Sequence, residues 1–155
     1  MRWLVIEMAG KAAPGGEPAM THRQTIRVYF EDTDAAGIVY YANYLKFAER
    51  ARTDWMRALG IPHSQMIKRD GLTLVVRRCL IDYLKPAHLD DELTVETELV
   101  KLGGASIDLA QRVWRGAEML ADMKVLVVCV GRDGKAARIP DYLRGVLPRI
   151  NHAGA

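Results

Sequence analysis

One stretch of helical periodicity stands among strands, and that imbalance limits the fold more than any other feature. Over residues 44–59, Tyr44, Phe47, Ala48, Ala51, Trp55 and Leu59 fall on one stripe. Lys46, Glu49, Arg50, Thr53 and Arg57 lie largely opposite. Asn43 reads as the N-cap, and Gly60 followed by Pro62 is a stop signal. A stripe this wide needs a large apolar surface to cover it.

The rest of the chain offers mainly strands. Residues 24–30 alternate Ile26, Val28 and Phe30 against Thr25, Arg27 and Tyr29. A short helical turn is expected at 63–68. Strands then follow at 72–83, 93–101, 106–114 and 119–130, with turns at Gly103-Gly104 and Arg115-Gly116. Val125 to Val128 is an unbroken apolar run, so the last strand reads as central and covered on both faces. Residues 140–147 read as a closing helix with Pro140 at its first position. One helix packed on a curved antiparallel sheet of about five strands is an α+β arrangement.

Between the first strand and the long helix lies Glu31-Asp32-Thr33-Asp34-Ala35-Ala36-Gly37-Ile38-Val39-Tyr40-Tyr41-Ala42. Three carboxylates and a glycine thus precede a helix start, where free N–H groups and the dipole favour negative charge. A carboxylate beside such donors is a kit for acyl transfer or hydrolysis. A calcium loop is excluded: Asp32, Asp34 and Gly37 fit its first, third and sixth positions, but Ala36 and Asn43 fail the fifth and twelfth. His22, His63, His88 and His152 form no constellation, and no Cys/His spacing suits zinc. Cys79 and Cys129 sit in apolar runs and read as reduced core thiols.

With 155 residues, a single domain is expected. A net charge of +3, with basic and acidic residues interspersed, does not point to nucleic acid. The run Trp3-Leu4-Val5-Ile6 is too short for a membrane span, and residues 13–18 are rich in Pro and Gly. Residues 1–20 therefore read as a flexible extension, the domain as 21–150, and the location as the cytoplasm.

The segment from Tyr29 through Tyr41, followed by Asn43-Tyr44 and Phe47-Ala48-Glu49-Arg50-Ala51-Arg52, resembles hot-dog-fold thioesterases. It is similar to 4-hydroxybenzoyl-CoA thioesterases and closer still to the bacterial Tol-Pal-associated acyl-CoA thioesterases. The resemblance runs over residues 21–147. It implies hydrolysis of an acyl-CoA thioester, with the catalytic carboxylate at Asp34. It places Tyr41 beside the site, where relatives carry His or Tyr. A phenol with a pKa near ~10 donates a hydrogen bond but is a poor base at neutral pH. Neither metal nor redox cofactor is implied.

Around this core, Gly37 is expected to supply a backbone conformation that other residues resist. Main-chain N–H groups from Tyr40 to Ala42 are the oxyanion candidates. Arg77, Arg78, Lys85 and Lys101 are candidates for the coenzyme A phosphates. Asp32 and Glu31 read as solvated turn residues. Exposed sheet edges and the family's shared sites imply a homodimer or homotetramer. Two other readings stay open: a non-enzymatic binder of acyl-CoA or acyl carrier protein, and a dehydratase or hydratase. The latter chemistry needs a catalytic histidine, and no histidine is near Asp34 in sequence.

Overall fold

The structure is a computed structural model that describes residues 21–148. The expected extension at 1–20 lies outside the described residues, as do residues 149–155. Five strands form one antiparallel sheet: β1 (His22–Arg27), β2 (Thr73–Tyr83), β3 (Glu92–Leu102), β4 (Ser106–Arg115) and β5 (Glu118–Val130). The spatial order is β1-β3-β4-β5-β2. Helices α1 (Asn43–Ala58), α2 (His63–Asp70) and α3 (Asp141–Val146) complete it. This is the α+β hot-dog arrangement that the periodicity and the resemblance imply.

Helix α1 buries Tyr44, Phe47, Ala48, Ala51, Trp55 and Met56. Facing them are Ile26 of β1, Val95 and Leu99 of β3, Leu109 and Val113 of β4, and Met123, Val125 and Val127 of β5, all buried in the same core. The sheet is irregular at three places, between Val76 and Arg78, Leu99 and Lys101, and Val113 and Trp114. Such bulges increase local twist and let a sheet curl around a helix. A buried polar chain ties the layers together. Gln111 Nε2 donates to the Ala48 carbonyl at 3.0 Å and to Thr97 Oγ1 at 2.9 Å, while its Oε1 accepts from Arg52 at 2.8 Å.

Four local expectations change. The central strand is β4, not β5. β5 alternates buried with half-buried residues, so its apolar run covers one face fully and leaves the other partly open in the single chain. β1 ends at Arg27, because Phe30 enters a short 3-10 turn, Phe30–Asp32. Asn43 is the first residue of α1 rather than its cap: Ala42, already near helical dihedrals, takes that place. Pro140 precedes α3 instead of opening it.

Candidate active site

The acidic turn is held by Asp32. Its side chain is buried and accepts from the Tyr29 N–H at 2.9 Å. Its carbonyl accepts from the Tyr40 N–H and from Asn43 Nδ2, each at 2.9 Å. Asp32 is thus a brace and not the solvated residue expected, because burying its carboxylate satisfies a main-chain donor; Glu31 is exposed. Beyond this brace, Thr33 and Val39 form an antiparallel bridge. The chain reverses between them: Gly37 N–H donates to the Asp34 carbonyl at 2.9 Å, and Asp34 N–H to the Ile38 carbonyl at 3.1 Å. Gly37 has φ +77°, a left-handed conformation that costs other residues energy.

Asp34 therefore sits at a tight, braced reversal, exposed in the single chain. Its Oδ1 accepts the Ala36 N–H at 2.8 Å. No described residue bonds its Oδ2. Residues 35–42 separate it in sequence from α1, so the acidic turn does not directly abut the helix. The Tyr40–Asp32 and Asn43–Asp32 bonds instead lace the helix start back to it. The Tyr40 phenol is pushed up by its hydrogen bond with Tyr41, with smaller contributions that include the Asp34 carboxylate. The main-chain N–H groups of Tyr41 and Ala42 donate to no acceptor among the described residues. Phe30, Thr33, Asp34, Ala35, Gly37 and Leu89 line an open cleft of about 520 Å³.

A second cavity, of about 170 Å³, lies against the far half of α1. Trp55, Met56, Leu74, Val76, Leu109 and Val127 form its apolar wall, and Glu49, Arg52 and His63 its polar one. Burial holds the Arg52 guanidinium and the His63 imidazole below their usual pKa values, which leaves His63 neutral at neutral pH. The sequence reading missed this cavity. Glu49 lies on the polar side of the helical stripe, and His63 is brought over only by the Gly60–Pro62 reversal.

Of the expected phosphate-binding cations, Lys85 is paired with Glu118 at 3.0 Å. Arg77 and Arg78 lie exposed on β2, at its bulge, with no acidic partner among the described residues. Ile38 bridges His88, so folding brings a histidine beside the acidic turn that the sequence placed far away. Its Nδ1, however, lies 3.9 Å from Asp91 Oδ2 and 3.5 Å from an Arg115 nitrogen. Among the described residues no group of three or more His, Cys, Asp or Glu is placed to hold a metal ion. No described helix is long and apolar enough to cross a membrane.

Residues 28–147 match the family model described as the thioesterase-like superfamily. The chain belongs to that superfamily. It is 47% identical over 105 residues to an acyl-CoA thioesterase YbgC of Haemophilus influenzae, covering 68% of this chain and 77% of that one. With an acyl-CoA thioester hydrolase YbgC of Escherichia coli the identity is 41% over 109 residues, covering 70% and 81%. The crystal structure of a probable thioesterase from Bartonella henselae superposes with a TM-score of 0.75 at 35% identity, over 77% of this chain and 99% of that one. The matched span of this thioesterase-like chain contains both the Asp34 turn and the second cavity.

Proposed function

We propose that this thioesterase-like protein hydrolyses acyl-CoA thioesters, with Asp34 as the reacting carboxylate. The observation that carries the reading is an exposed carboxylate on a braced turn, laced through Asp32 to a helix start whose Tyr41 and Ala42 main-chain N–H groups have no acceptor among the described residues. Charge gathers on the thioester carbonyl oxygen in the tetrahedral transition state, and such donors stabilise it. Asp34 either attacks the carbonyl carbon, giving a mixed anhydride and the coenzyme A thiolate, or takes a proton from the water that attacks. Both routes yield free acid and thiol and consume one water. Release of thiol from a panel of acyl-CoAs tests the activity; binding without thiol release would favour a non-enzymatic acyl binder. Label found in Asp34 after a single turnover in ¹⁸O-water identifies the anhydride route, through water attack on the Asp34 carboxyl carbon of the anhydride. The same panel presented on an acyl carrier protein decides the carrier, since both carriers offer a phosphopantetheine thioester.

The site is completed, on this reading, by a second copy. β2 is an edge strand of 11 residues, with Val76 47% and Leu80 58% exposed. An apolar strand edge of this length favours association. Tyr83 at one end of β2 touches Tyr41, while Leu74 and Val76 near the other line the cavity. From Val76 to Tyr83 the strand rises about 23 Å, too far for one reacting group to use both ends in one chain. A two-fold axis through the middle of β2 pairs it antiparallel with its copy. Each Tyr41 end then meets the other chain's cavity, which becomes the seat for the acyl group. Activity on coenzyme A thioesters supports a cytoplasmic location.

A further inference from the structure

We propose that Tyr83 is a positioning residue that orients the oxyanion-binding peptide; this rests on the thioesterase reading above. The Tyr83 hydroxyl donates to the Tyr41 carbonyl oxygen at 2.9 Å. A trans peptide is planar, with its C=O and N–H pointing opposite ways. Holding the Tyr41 carbonyl toward Tyr83 therefore fixes the Ala42 N–H on the far side of the same plane. That N–H has no acceptor among the described residues and lies immediately before the first residue of α1. Were this peptide to rotate, a carbonyl dipole would replace the N–H, and the developing oxyanion would be repelled.

The hydroxyl is itself held in place. The Tyr83 ring meets Tyr44 edge-on at 5.5 Å and Tyr41 at 6.2 Å. Tyr44 is fixed in turn, because its hydroxyl accepts the Ala87 N–H at 3.1 Å. Burial, with the neighbouring Cys79, Tyr41 and Tyr44, pushes the Tyr83 phenol up, so it stays a protonated donor through the neutral range. The peptide's neighbours are already committed: Tyr40 N–H bonds the Asp32 carbonyl, and Asn43 N–H bonds the Tyr40 carbonyl at 2.8 Å. Tyr83 is thus the side chain that sets the remaining peptide of the segment.

The test is Tyr83→Phe in the full chain, which removes the hydroxyl and keeps the ring. The expected result is a kcat lower by about ten- to a hundred-fold with KM within about two-fold, the pattern for a contact made in the transition state. A second readout is the carbonyl stretch of a ¹³C=O acyl-CoA bound to Asp34→Asn protein. Hydrogen bonding lowers that frequency, and adding Tyr83→Phe should shrink the shift. Tyr142→Phe is the control: it loses a tyrosine hydroxyl bond to Asp70 of α2, outside the Tyr41–Ala42 segment, and should leave the carbonyl shift intact. If folded Tyr83→Phe keeps its kcat or the full carbonyl shift, while Asp34→Asn is inactive, the positioning role fails and the thioesterase reading stands. If no acyl-CoA is hydrolysed by the wild type, both fail together.

Discussion

Asn43 Nδ2 donates to the Asp32 carbonyl at 2.9 Å, so the first residue of the long helix is tied to the turn that carries Asp34. Both side chains are buried, at 6% and 7% exposure, so water cannot replace the bond. Asn43→Ala leaves a buried carbonyl with one partner fewer, at a cost of about 1–3 kcal/mol. The variant should melt lower, and its kcat should fall more than its affinity for acyl-CoA. A thermal melt and steady-state kinetics on the same preparation check both.

Asp34→Asn should fold as the wild type does. The side chain is exposed, and an amide oxygen can still accept the Ala36 N–H that Asp34 Oδ1 accepts now. Turnover should nonetheless fall by about two to four orders of magnitude, the range for losing acid–base catalysis. A folded variant with wild-type kcat removes Asp34 from the mechanism.

The large periodic elements were legible from the residues because their burial follows simple periods. Trp55, 4% exposed, and Phe47 lie where a 3.6-residue stripe puts them, and Val95, Thr97 and Leu99 where alternation does. What escaped was fixed by partners far away in sequence. Asp32 looks like a solvated acid until Tyr29 and Asn43 close on it. β5 reads as central because Val125 to Val128 are all apolar, but strand order depends on which hairpin β2 joins. The cavity at Glu49, Arg52 and His63 needs α2 folded back on α1, and neither segment encodes that alone. The positions of Asp34 and Gly37 came from resemblance and turn chemistry together; the donors' freedom at Tyr41 and Ala42 became visible only with the hydrogen bonds in hand.

Gly37→Ala separates backbone strain from crowding. A Cβ at Gly37 would meet no atom within 4 Å, yet φ is +77°. The cost should therefore be about 1–2 kcal/mol from left-handed strain alone. The reversal that presents Asp34 should loosen, and kcat should fall. Gly104→Ala, where a Cβ also meets nothing and φ is ordinary, should leave melting nearly unchanged.

Acid sensitivity should report on Asp91. Burial alone would raise its pKa, but the His88 N–H and the Arg115 guanidinium, 2.7 Å away, outweigh that and bring it below the ordinary 3.8. A folded-state pKa below the unfolded one means the carboxylate contributes stability above pH 3.8, which is lost as pH falls through the lower folded value. Asp91→Asn should therefore lower the melting temperature at pH 7, and its melting temperature should fall less steeply in acid. Parallel curves for variant and wild type between pH 5 and 2 would show that this cluster stores no such stability.

Complementation tests the shared site most directly. If the Asp34 turn of one chain works with the cavity of the other, a defect in each can be separated. Asp34→Asn removes the carboxylate. Glu49→Trp places a large ring at the exposed mouth of the cavity and should block it without disturbing the core. Each variant alone should be inactive. In a mixed dimer one site collects both defects and the other collects neither, so activity should reappear on mixing and refolding together. It should appear only in the fraction that sediments as a dimer, and dilution below the dissociation constant should remove it. A mixture that stays inactive while mixed dimers are present would show that each chain carries its own complete site.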